Sequence, residues 1–170
     1  MTNGTLLVLW SARLALVLYA GSLAAWLIGK PQSARLAWTS GFCVYLLHVA
    51  AAFQFRHHWS HAAAYQETAR QTAELFGVRW GGGLYFNYGF TAVWVFAVIW
   101  IWRSPEAFRR QRWIVVAVHS FMAFMFFNAA VVFVAGWVRW VGLIIGISLG
   151  VLWWRTRKKG TRGSFHTLQQ

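Results

Sequence analysis

Residues 84–102 read LYFNYGFTAVWVFAVIWIW, an apolar run of 19 residues without a charged side chain. A helix rises about 1.5 Å per residue, so a run of this length covers roughly 30 Å, the thickness of the hydrocarbon core of a bilayer. Tyr85, Phe86 and Tyr88 lie at its start, and aromatic rings of this kind are typical of the headgroup level. The stretch therefore predicts a transmembrane helix.

The composition of the whole chain indicates the same class of protein. Of 170 residues, 59% are hydrophobic and 11% are charged, whereas a soluble domain carries about a quarter charged residues. The net charge of +13 comes from short basic clusters between apolar runs, where Lys and Arg set topology and contact anionic lipid headgroups. We find no nucleic-acid-binding motif and expect no nucleic-acid partner. Cys43, the single cysteine, excludes an internal disulfide.

Five apolar runs have the length of a transmembrane helix, about 17 to 23 residues. We predict them at residues 6–28, 36–55, 84–102, 113–134 and 138–154. The predicted fold is an all-α integral membrane protein, with one transmembrane domain over residues 1–170. It consists of a bundle of about five transmembrane helices and a short external amphipathic helix at the interface.

The distribution of basic residues predicts the orientation of this bundle. Grouping alternate connecting segments puts eleven basic residues on one side: Lys30, Arg35, Arg103, Arg109, Arg110, Arg112, Arg155, Arg157, Lys158, Lys159 and Arg162. The other side has four: Arg56, Arg70, Arg79 and Arg139. Because cytoplasmic segments are enriched in Lys and Arg, the side with eleven is predicted to be cytoplasmic. The amino terminus and residues 57–83 are then external, the basic tail 155–170 is cytoplasmic, and the expected location is a bacterial inner (cytoplasmic) membrane.

Three connecting segments carry turn or helix-start signals. Ser60 predicts the N-cap of an amphipathic helix that ends near Gly77, on which acidic and basic side chains form spaced ion pairs. Ser104 is predicted to cap a second helix, with Pro105 in its first position. The pair at residues 135–136, Ala-Gly, predicts a tight break before the last span.

Three polar side chains within the predicted spans are candidates for binding a cofactor. His48 and His119 lie on different helices, at depths that we estimate as roughly 18 Å and roughly 9 to 12 Å from the same face. Two such imidazoles can ligate haem b or another tetrapyrrole from both sides. The alternative is that each ring bonds to a neighbouring helix. Arg13 is predicted either to bind an anionic group of a cofactor or lipid, or to extend to the external headgroups.

A cluster of imidazoles in the external segment is a candidate metal site. His57 and His61 share a helical face, as do His58 and His61, and Glu67 can add an oxygen ligand if the helix folds back. One transition-metal ion with three or four ligands fits this spacing. The alternative is an exposed and hydrated cluster without a metal.

The last span carries glycines at every fourth position, Gly142, Gly146 and Gly150. Such a stripe forms a groove that lets another helix approach closely, so it predicts contact with a partner subunit, with a second copy, or with the chain's own bundle.

Three hypotheses for function follow from these patterns. In the first, the chain is a small polytopic subunit of a larger membrane complex and binds a haem or other tetrapyrrole for electron or energy transfer. In the second, it is a purely structural or assembly subunit. In the third, it is a membrane enzyme with a metal at the external histidine cluster.

Overall fold

The computed structural model describes residues 3–134 and 136–166, with side chains up to Thr156; Ala135 and the end of the predicted tail lie outside it. The described chain is all-helical and contains no strand. The helices are α1 (Asn3–Leu27), α2 (Pro31–Ala52), α3 (His61–Phe76), α4 (Gly83–Arg103), α5 (Pro105–Arg110), α6 (Arg112–Phe127) and α7 (Trp137–His166). A π-helical turn continues α2 over Phe53–His57, and another continues α6 over Asn128–Val132.

Within the described residues, five helices are long and apolar enough to cross a membrane, which confirms the predicted number. They are Asn3–Leu27, Pro31–His57, Gly83–Arg103, Arg112–Val132 and Trp137–Thr156. The short helix α3 connects α2 to α4 at one end of the bundle, which we call the cap end. The short helix α5 connects α4 to α6 at the opposite end, which we call the α5 end.

The second helix starts five residues earlier than the predicted span. Pro31 occupies its first turn, where a missing N–H costs no hydrogen bond and the fixed φ of proline suits a helix. Gly29, with a φ of +77°, makes the turn before it. The sequence-based span began at residue 36 because the polar residues before it reduced the apolar signal, although they are helical.

Aromatic side chains from four helices form the core of the bundle. Trp94 on α4 and Met122 on α6 have no exposed surface, and Trp38 on α2 and Tyr19 on α1 are only 3% and 4% exposed. The Trp38 and Trp94 rings lie 5.8 Å apart at an interplanar angle of 64°, close to the edge-to-face arrangement that such rings prefer. The core therefore joins α1, α2, α4 and α6, and α7 lies outside it.

The helix at the cap end begins and ends where the sequence predicts. The Ser60 hydroxyl accepts a hydrogen bond from the Ala63 N–H at 3.2 Å, and Gly77 closes the helix with a φ of +73°. The chain then returns to α4 against the side of α3. A Cβ at Gly81 would lie 2.5 Å from the Tyr65 carbonyl oxygen, so only glycine fits this close approach.

The predicted helix start at Ser104 is correct in position and wrong in its cap. α5 begins at Pro105, but the Ser104 side chain makes no capping hydrogen bond. Phe108 is 6% exposed and its ring contacts Trp100 on α4 at 5.4 Å, edge to face. Burial of Phe108 therefore fixes α5 to the bundle, and the polar residues on either side of it are turned outward.

Candidate functional site

His48 is bonded to the neighbouring helix through one ring nitrogen. Its Nδ1 lies 2.9 Å from the Val8 carbonyl oxygen on α1 and 3.5 Å from the Ser11 hydroxyl. A carbonyl only accepts, so Nδ1 donates and the lone pair is placed on Nε2. Within the part of the chain that the structure describes, Nε2 makes no hydrogen bond. This is the tautomer of an imidazole that ligates a metal, since such rings usually donate their other N–H to a carbonyl or carboxylate.

His119 lies between two tryptophans nearer the α5 end. Its ring stacks on Trp26 at 6.4 Å and meets Trp38 edge to face at 5.3 Å. Its Nδ1 is buried and has no hydrogen-bond partner among the described residues. His119 is thus held by ring contacts, in contrast to His48.

The two histidines do not meet. His119 contacts Trp38, which precedes His48 by ten residues on α2, and ten residues correspond to about 15 Å along a helix axis. Counted from Pro31, His48 lies about 26 Å along α2, whereas His119 lies about 10 Å from the first residue of α6. Nitrogens that share one haem iron would be about 4 Å apart. The structure therefore does not bring the predicted pair together.

Sequence reasoning missed a group of buried polar atoms around Trp38. The Tyr19 hydroxyl and the indole nitrogens of Trp38 and Trp94 are buried without a hydrogen-bond partner in the described chain, as is His119 Nδ1. The rings of all three neighbours lie within 5.3 to 5.8 Å of the Trp38 ring. Buried polar atoms normally have a partner, so this group is a candidate location for bound water or a small polar ligand. Tyr19, Trp38 and Trp94 each resemble an ordinary core residue of their helices, so only His119 was recognisable as polar from the sequence.

Arg13 connects the first helix to the last. Its guanidinium carbon lies 4.9 Å from the Trp10 ring and 5.5 Å from the Trp137 ring of α7. Both distances are within the range of a cation–π interaction. Arg13 thus packs between indoles, and these contacts leave its predicted role toward an anionic ligand an untested hypothesis.

The histidines near the cap end do not share a common set of contacts. His61 Nδ1 shares a hydrogen bond of 2.9 Å with the Tyr88 hydroxyl on α4. His58 lies in the left-handed region, with a φ of +48°, and Trp59 follows it at +57°. Glu67 points to Arg70. No group of three or more His, Cys, Asp or Glu side chains is arranged to hold a metal ion among the residues that the structure describes. The predicted metal site stays a prediction without geometric support.

Glu67 belongs to an ion-pair network along α3, as the sequence predicted. Its two oxygens accept hydrogen bonds from Arg70 at 2.7 and 2.9 Å, and Arg70 also bonds to Glu74. The hydrogen bonds from Arg70 lower the pKa of the Glu67 carboxyl to about 2. An open cleft of about 840 Å³ lies beside the network, and its charged lining is Arg56, His57, Glu67, Arg70, Glu74 and Arg79. Both carboxylates of the cleft are bonded to Arg70, whereas Arg56 and Arg79 have no carboxylate partner in the described chain.

The three glycines of α7 face different surroundings. A Cβ at Gly142 would lie 2.9 Å from the Ala130 carbonyl oxygen and 3.0 Å from the Ala130 Cβ, so this glycine packs against the π-helical turn of α6. A Cβ at Gly146 or Gly150 would meet nothing within 4 Å. The first glycine is therefore used inside the bundle, and the other two are open to the surroundings.

Comparisons with family models, with curated proteins and with solved structures find no match to this chain.

Proposed function

We propose that the chain is a small, non-catalytic membrane subunit that works bound to another membrane protein, with α7 as the docking helix. One observation supports the proposal most directly. The apolar part of α7 that is long enough to cross a membrane contributes no buried residue, while each of the other four such helices does. A helix that adds nothing to its own core and presents open glycines at residues 146 and 150 is suited to pack against a helix from outside.

The charge at the end of α7 favours a different protein as the occupant over a second copy. Five basic residues lie at and after the end of the apolar part of the helix: Arg155, Arg157, Lys158, Lys159 and Arg162. Two parallel copies packed through the glycine face would bring both clusters together, and like charges at a contact disfavour association. A partner helix with acidic residues at this level would instead be attracted. In this proposal the open glycines allow a partner helix to approach closely, and the basic cluster selects a partner with acidic residues.

Site-specific photo-crosslinking tests this docking surface. A photoreactive side chain at Gly146 or Gly150 should form an adduct with another membrane protein in native membranes. The matched control is Ser148, which is also exposed but lies about 200° around the helix from Gly146. An adduct from position 148 as strong as from 146 would contradict a specific glycine face. An adduct whose mass is twice that of the chain would show that α7 contacts a second copy and would contradict a different protein as the partner.

A matched pair of substitutions tests whether the glycine face is required for binding to the partner. Gly146→Leu fills the groove and should abolish co-migration of the chain with its partner in mild detergent, while Ser148→Leu adds similar bulk on the opposite face and should preserve it. If both variants co-migrate like the parent, the glycine face contacts lipid and the proposal is wrong.

A second candidate function, cofactor binding for electron or energy transfer, is favoured by the tautomer of His48. With Nδ1 on the Val8 carbonyl, its free Nε2 can hold the metal of a haem b or other tetrapyrrole as a single axial ligand. The absorption spectrum of the purified chain tests it. We expect a Soret band that His48→Ala removes and His119→Ala preserves. A parent protein without the band, or a band that depends only on His119, would contradict this candidate.

A further inference from the structure

An unpaired cluster of arginines lies at the α5 end of the bundle. Arg109 and Arg110 occupy the last turn of α5, and Arg112 is the first residue of α6. Together with Glu106 they line a cleft of about 570 Å³. Three guanidinium groups thus share the cleft with one carboxylate. The salt bridges of the described chain all lie in α3, so none of these three arginines forms a salt bridge within the described chain.

The fold holds the three arginines in this position through buried contacts. Phe108, next to Arg109, is packed against Trp100, which fixes the orientation of α5. The Gln111 N–H donates to the carbonyls of Ala107 at 3.3 Å and Phe108 at 3.2 Å, so the link between α5 and α6 is also hydrogen-bonded. The link between α5 and α6 is therefore held in place, and the described chain does not neutralise the positive charge of the cleft.

We propose that this cleft binds the phosphate of an anionic membrane lipid. Guanidinium groups form paired hydrogen bonds to phosphate oxygens, and three of them beside one carboxylate leave a net positive charge that attracts a phosphodiester. The position of the cleft favours a lipid over a soluble phosphate. It lies where two long apolar helices end, beside Trp113, which is 71% exposed, and Val116, which is 63% exposed. An acyl chain can follow this apolar surface while the headgroup stays in the cleft.

Lipid binding to the purified full chain in detergent tests the proposal. Phosphatidylglycerol, which is anionic, should bind more tightly than phosphatidylcholine, which is zwitterionic. The triple variant R109Q/R110Q/R112Q should lose this preference by a factor on the order of a hundred, because each basic residue near an anionic surface contributes about 1 kcal/mol and about 1.4 kcal/mol is a factor of ten. Native mass spectrometry of retained lipid gives the two affinities.

A matched triple variant at the cap end separates this site from general charge effects. R56Q/R79Q/R139Q removes the same number of charges far from the cleft, and the preference for phosphatidylglycerol should survive. Equal losses in both triple variants would overturn a specific site, as would an unchanged preference in R109Q/R110Q/R112Q. Circular dichroism checks that the helices remain, and the single variant R110Q, expected to lose about fivefold, gives a milder test if the triple variant unfolds. Competition by inorganic phosphate at equal concentration would identify a free-phosphate site and overturn the lipid assignment.

Discussion

Alanine substitutions at Gly142 and Gly146 should change the stability of the isolated chain in opposite directions. At Gly142 the added methyl group would lie 2.9 Å from the Ala130 carbonyl oxygen, which belongs to backbone and cannot rotate away. Overpacking of this kind costs about 1 to 3 kcal/mol, less the gain of roughly 0.5 to 1 kcal/mol from replacing glycine within a helix. We therefore expect Gly142→Ala to lower the free energy of unfolding, by up to about 2.5 kcal/mol. At Gly146 nothing lies within 4 Å, so only the helical gain remains, about 0.5 to 1 kcal/mol.

Each variant adds one methyl group to the parent, and the two positions are four residues apart on the same helix. Each variant is therefore a control for the other. Unfolding in detergent, followed by near-ultraviolet circular dichroism against temperature, should separate their midpoints by several degrees, with the parent between them. A Gly142→Ala midpoint at or above that of Gly146→Ala would refute the described contact of α7 with the π-helical turn of α6. Gly146→Ala should also weaken partner binding even as it stabilises the isolated chain, since the methyl group narrows the open groove.

The remaining predictions concern topology and the cap. In a variant without the native cysteine, a membrane-impermeant thiol reagent added to intact cells should label Gln71→Cys and not Thr161→Cys; the reverse pattern would contradict the eleven-to-four charge assignment. His58→Gly should raise the free energy of unfolding by roughly 0.5 to 1 kcal/mol, because glycine adopts a φ of +48° without strain; a lower value would show that the imidazole itself stabilises the turn. Because Arg70 lowers the pKa of Glu67 to about 2, the ion pair stabilises α3 above the ordinary value of 4.5 and this contribution is lost as the pH falls through about 2. Protection of the α3 amides, measured as their exchange rate relative to that of an unfolded chain at the same pH, should therefore fall between pH 4.5 and 2. Unchanged protection would mean that the pair adds nothing to the stability of α3.

The long helices could be predicted from the sequence because length and apolar composition alone define them. Each predicted span overlaps one helix of the structure, and the turns at Ser60 and Gly77 follow from local backbone chemistry. The start of α2 at Pro31 was missed because a polar first turn gives no apolar signal. The predicted pairing of His48 with His119 rested on estimated depths, and the helices of the structure place these residues about 26 Å and about 10 Å from the starts of α2 and α6.

The candidate sites were harder to predict because they depend on how helices rotate against one another. Sequence spacing identified Gly142, Gly146 and Gly150 as one stripe, but only the packing of α7 shows that the first faces Ala130 and the others face outward. Hydrophobicity treats Trp38 as apolar, so the unpaired indole nitrogen in the core gave no signal. Positive charge at the α5 end was plain in the sequence, whereas its convergence on one cleft depends on the buried ring of Phe108.

The π-helical turns at Phe53–His57 and Asn128–Val132 have a consequence for the evolution of this chain. A π-helical turn holds one residue more than the α-helical turn it replaces, so it is the structural equivalent of a one-residue insertion that the helix has absorbed. Deleting one residue from the first turn would restore a regular helix and rotate everything beyond it, Ser60 and α3 included, by about 100°. Relatives that lack one residue at the first turn would therefore keep their long helices and carry a differently oriented cap. Alignment of such relatives would need a gap within a helix, where gaps are normally least expected.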